Sequence, residues 1–140
     1  MQYNRRAAIE YAQKWALGRN PRYYNFDKIG GDCTNFVSQC LYAGKKEMNY
    51  QEIGWYYKNA NQKSPSWTGV EFLYQFLVNN KGAGPQGIIV DKKQIEEGDV
   101  IQLSFDGNIY GHTAIVTSID YNKLLIAAHT IDSKNRDIET

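Results

Sequence analysis

The chain has 140 residues, enough for one domain with one core, and 42% of them are hydrophobic, a share that can fill such a core. The formal net charge is +1, with no basic stripe to follow a phosphate backbone, so nucleic acid is not an expected partner. No stretch approaches the roughly 18 apolar residues of a membrane span, and the amino terminus, with Arg5, Arg6 and Glu10 inside an amphipathic pattern, does not read as a signal peptide.

In chain order, residues 4–17 predict a first helix with Ala8, Ile9, Ala12, Trp15 and Ala16 on one face. Gly18 stops it, and Asn20-Pro21 opens a loop that carries Tyr23, Tyr24 and Phe26. Residues 30–41 read Gly-Gly-Asp-Cys-Thr-Asn-Phe-Val-Ser-Gln-Cys-Leu. Two glycines permit a tight turn, and Asp32 is placed to cap a helix from Cys33 to about Ala43, ended by Gly44.

Residues 45–66 carry Trp55, Tyr56 and Tyr57 among amides and show no period, as a binding loop or a missed element would. Thr68 stands three residues before Glu71, a capping-box spacing, and Val70, Leu73, Tyr74 and Leu77 give a third helix ending near residues 80–82. From Gly87 the period becomes strand-like. Residues 88–90 are short and apolar, Glu97-Gly98-Asp99 is a turn, and Val100, Ile101, Leu103 and Phe105 form a strand closed by the hairpin signal Asp106-Gly107-Asn108. Two further strands, residues 111–119 and 123–130, follow, and the polar residues 131–140 read as a loop. Helices first and a strand meander afterwards predict an α+β domain with a small antiparallel sheet.

Cys33 opens its helix, where the macrodipole and unpaired backbone N–H groups favour a thiolate and can hold an oxyanion. A lone cysteine is ordinarily a small core residue, but the Gly-Gly-Asp entry and the polar Thr34 and Asn35 are a poor setting for a buried thiol. Cys40, between Phe36, Val37 and Leu41 at helical spacing, is expected in the core. Seven residues apart on one helix, the two lie ~10 Å from each other, beyond the ~7 Å Cα limit for a disulfide.

A cysteine nucleophile needs a base, and the chain has two histidines, His112 and His129. With a tight hairpin on Tyr121-Asn122, Ala114 faces His129 and His112 lies diagonal to it on the same face, at roughly 7–8 Å. His112 then takes the thiol proton and His129 orients its ring; a one-residue slip would put them on opposite faces. Zinc is not expected. Structural sites pair ligands about two to five residues apart, whereas six residues separate the cysteines and sixteen the histidines.

With these residues assembled, the chain resembles the putative amidase domain family of bacterial envelope proteins, which is similar in fold and chemistry to NlpC-type papain-like hydrolases. The matching stretches are residues 31–41, Gly111-His112-Thr113-Ala114-Ile115-Val116 and Ala128-His129-Thr130. The resemblance implies one papain-like domain over residues 1–140. It further implies a cysteine amidase or peptidase with Cys33, His112 and His129 as triad, no cofactor, bacterial cell-wall peptide as substrate, and a secreted or envelope location. It also implies a terminal strand beyond residue 140, without which the sheet would carry one more exposed edge. The alternative is a wall-binding module on the same scaffold that holds ligand on its aromatics without turnover.

Overall fold

The structure is a computed structural model and describes residues 2–104 and 110–139. It is α+β, with helices preceding an antiparallel sheet. Helix α1 spans Arg5–Trp15 and α2 Cys33–Lys45. A short ribbon of β1 (Tyr57–Asn59) and β2 (Gln62–Lys63) and the single-turn α3 (Pro65–Thr68) lead to α4 (Val70–Asn79). A 3-10 turn at Lys92–Gln94 then precedes β3 (Val100–Leu103), β4 (His112–Asp120), β5 (Lys123–His129) and β6 (Asp132–Asp137), which pair antiparallel in that order. Helices α1 and α2 lie together against the sheet.

Local chemistry explains the helix starts. Asn4 caps α1 by accepting the Ala7 N–H at 3.0 Å, and Ala8, Ala12 and Ala16 form a fully buried stripe, small enough for α2 to approach closely. Before α2, Gly30 and Gly31 adopt φ of +82° and +96°, backbone that only glycine enters without strain. The expected stop at Gly44 is not where α2 ends. Gly44 lies inside the helix because a side chain there would collide with α1: a Cβ would sit 2.5 Å from Tyr3 Cε1 and 2.7 Å from the Asn4 carbonyl oxygen. Lys46 ends the helix instead, turning left-handed at φ 61° with its N–H on the Tyr42 carbonyl at 2.7 Å.

Residues 45–66 are the missed element. Asn49 and Trp55 bridge, β1 pairs with β2, and Trp55 is completely buried. Trp55 and Trp67 pack at 4.6 Å between centroids, an arrangement that adds about 0.5–1.5 kcal/mol beyond area burial. Their indole N–H groups are satisfied by α2: Trp55 donates to Ser38 Oγ at 3.1 Å and Trp67 to Asn35 Oδ1 at 3.0 Å. The Thr68–Glu71 capping box does not form; Thr68 closes α3, and Gly69 precedes α4. Residues 88–90 are no strand, and Ile88 and Ile89 are exposed.

In the sheet, β4 and β5 turn on Tyr121-Asn122 as expected, with Asp120 opposite Lys123 and Ser118 opposite Leu125. At Thr117 the ladder slips by one: Val116 pairs with Ile126 and Ile115 with Ala127. This is a β-bulge, and its Thr117 hydroxyl donates to the Leu125 carbonyl at 3.2 Å. Residues 132–137, expected as loop, form the edge strand β6, whose mostly charged and exposed side chains carry no apolar alternation to announce it. Phe105 and the hairpin signal at Asp106-Gly107-Asn108 lie outside the described residues.

Replacing Gly44 by alanine would on an open helix face stabilise by roughly 1 kcal/mol. Here we expect the opposite, a loss of about 1–3 kcal/mol from overpacking, read as a lower urea midpoint with an unchanged slope.

Candidate active site

The site forms where the entrance of α2 meets the ends of β4 and β5. Asp32 occupies the capping position of α2, but its carboxylate makes no cap hydrogen bond. It points inward and is 1% exposed. Oδ1 accepts the Phe26 N–H and the Asn35 side-chain amide, both at 2.9 Å. Oδ2 is 2.6 Å from His129 Nδ1 and 3.4 Å from Arg19 Nε. Burial pushes the Asp32 pKa up, but the hydrogen bonds from His129, Asn35 and the Phe26 backbone outweigh it and hold the carboxyl below its ordinary range. The expected cap is thus diverted to orient a histidine.

Arg19, which no local pattern marks, ties this group to its surroundings. Its guanidinium donates to Asp27 at 2.9 and 3.0 Å and to Asp132 at 2.9 and 3.0 Å, and to the Gly18 carbonyl at 2.9 Å. Nη1 also lies 3.1 Å from His129 Nε2. One side chain therefore links the end of α1, the loop before α2 and the turn from β5 to β6. Burial opposes the charge, yet hydrogen bonds and charges from Asp132 and Asp27 raise the Arg19 pKa above its usual value.

Cys33 is the first residue of α2 and is partly exposed, with Sγ 3.8 Å from Thr34 Oγ1. Thr34 in turn shares a 2.9 Å hydroxyl hydrogen bond with Thr113, which pins the first turn of α2 to the start of β4. The polar Thr34 and Asn35 thus have structural partners: Thr34 meets Thr113, and Asn35 serves Trp67, Asp32 and the Tyr24 carbonyl. Cys40 is fully buried, as expected, and burial pushes its thiol pKa well up.

The bulge at Thr117 changes where the histidines go. Carried past Ile115–Ala127, the slipped register sets Thr113 opposite His129 and His112 opposite Thr130. His129 faces α2, its ring stacked on Phe36 at 4.0 Å. His112, the first residue of β4, has Nδ1 3.2 Å from Thr130 Oγ1. The expected pairing of Ala114 with His129 is therefore displaced by a single extra residue. Thr130, unmarked in the sequence as a site residue, holds His112. His129 Nδ1 meets the Asp32 carboxylate, and its Nε2 lies 2.8 Å from the Trp15 carbonyl and 3.1 Å from Arg19 Nη1.

Trp55, in the segment expected as a binding loop or a missed element, is a core residue, as is Trp67. Among the described residues, no group of three His, Cys, Asp or Glu side chains could hold a metal ion, and no helix is long and apolar enough to cross a membrane.

Comparison with known proteins bears on this geometry. The family model described as "Putative amidase domain" matches residues 2–140. Uncharacterized protein YhbB of Bacillus subtilis is 38% identical over 141 aligned residues, covering 96% of this chain and 44% of its own length. Uncharacterized protein YjcM of the same organism is 30% identical, covering 95% of this chain and 32% of its own. The chain thus spans less than half the length of both relatives. No solved structure matches.

Two outcomes follow from the geometry. Iodoacetamide should label Cys33 and spare Cys40 in the folded protein, with both labelled in denaturant, as read by peptide mass. Asp32 has a folded pKa below its unfolded value of roughly 3.9, so its contribution to stability is full above that pH and lost as pH falls through the folded pKa. In Asp32→Asn, acid titration of the unfolding free energy should lose this part of the slope below about pH 4.

Proposed function

The chain belongs to the family described as putative amidase domain, and from that premise we propose that it is a cysteine-dependent amide-bond hydrolase acting on bacterial cell-wall peptide. The observation that carries the reading is the Thr34–Thr113 hydrogen bond at 2.9 Å. It joins the helix turn that begins with Cys33 to the strand that begins with His112, so nucleophile and base each stand one residue from the same fixed point. The proposal extends to an NlpC-type papain-like domain over residues 1–140, a reading supported by a helix entrance set against an antiparallel sheet. A substrate of this class places its action at the cell envelope.

The chemistry runs in two halves. The thiol proton passes to His112 as the sulfur attacks the scissile carbonyl, and first-turn N–H groups of α2 receive the developing oxyanion. His112 then protonates the leaving amine as the C–N bond breaks, which leaves a thioester. Water, deprotonated by His112, attacks the thioester, and the acid departs as the proton returns to sulfur. His112 acts with Thr130 on its Nδ1, and His129 serves the helix entrance rather than the proton. A non-catalytic wall-binding module holding ligand on its aromatics is the weaker reading, since Trp55 and Trp67 are buried.

Purified wall fragments incubated with the protein should release peptide products visible by mass, and Cys33→Ala should release none. His112→Ala should lower turnover by at least 100-fold, the lower end of general-base effects. Undiminished turnover in either variant would remove that residue from the chemistry.

A further inference from the structure

We propose that Asp32, clamped by His129 and Arg19, is a positioning residue for Cys33, and that the clamp keeps its carboxylate off the backbone donors at the helix entrance. The inference rests on the reading of Cys33 as nucleophile and deepens it. An aspartate in the capping position ordinarily accepts an N–H of the first turn with its side chain. Asp32 does not, although its own carbonyl starts the helix by accepting the Phe36 N–H at 3.0 Å. Its carboxylate is instead held from three directions: by the Phe26 N–H and Asn35 amide on Oδ1, by His129 on Oδ2, and by Arg19 Nε at 3.4 Å.

The clamp is built, not incidental. Asp32 and His129 are 1% and 4% exposed, and Arg19 Nε is buried with no hydrogen bond, so its attraction to Asp32 is its compensation. His129 is fixed in turn by the Trp15 carbonyl and by stacking on Phe36. Released from these partners, the carboxylate would be one rotamer from the ordinary cap. There it would occupy the N–H groups that a substrate oxyanion needs and place a negative charge beside the Cys33 sulfur. His129 and Arg19 thus act on the reaction through Asp32, without touching substrate.

The test reads Cys33 with and without substrate. In His129→Gln and Asp32→Asn, provided circular dichroism and a cooperative melt show folded protein, we expect the second-order rate of iodoacetamide alkylation at Cys33 to fall about tenfold. Hydrolysis should lose kcat by a similar factor with KM within about twofold. The double variant should cost no more than the worse single one, because the residues act as a unit. Asp132→Asn, which alters an outer, part-exposed partner of Arg19, keeps the test informative if the buried variants do not fold, and should slow alkylation by about two- to fivefold. A folded variant with wild-type alkylation and kcat, merely less stable, would overturn the inference. Alkylation needs no substrate, so a wall peptide that is not cleaved would count against the proposed function alone.

Discussion

The contact on which the rest of the molecule depends is the buried hydrogen bond between Asp32 and His129. Burying a carboxylate is costly unless it is paired and fully hydrogen-bonded, and here the fold supplies every partner. One comes from the loop before α2, one from α2 itself, one from β5 and one from the segment after α1. His129 is 97 positions from Asp32 in the chain, so the pair forms only when helices and sheet have docked. Its energetic meaning is specificity of arrangement more than net stability, since such pairs gain little over apolar replacements but are severe to break.

From that point the layers are easily understood. The alanine stripe of α1 brings it close to α2, and the side chains of α2 that face inward divide their labour between apolar packing and polar service. Phe36, Val37 and Cys40 fill the core, whereas Asn35 and Ser38 satisfy the indoles of Trp67 and Trp55. Thr34 reaches the sheet through Thr113. A helix that looks half polar in sequence is thereby almost entirely interior.

What was legible in the sequence was what local chemistry determines. The first helix, the glycine turn before Cys33, the burial of Cys40 and the hairpin on Tyr121-Asn122 all depend on residues within a few positions of each other. What was not legible depended on distant partners. Asn35 reads as a surface residue until Trp67 is brought to it, and Arg19 reads as a loop cation until three aspartates converge on it. Strand β6 lacks alternation because it lies at an edge. Thr117 has nothing to distinguish it from its neighbours, yet the ladder between β4 and β5 slips there by one residue.

That last residue has a wider consequence for how the strand tolerates change. Because the odd residue at 117 reverses the parity of everything between it and residue 112, the inward and outward sets of β4 are defined by counting, not by composition. Thr113 and Ile115 look inward only while the count is kept. Point substitutions along this stretch are ordinary local events, but a one-residue gain or loss would exchange its two sides wholesale.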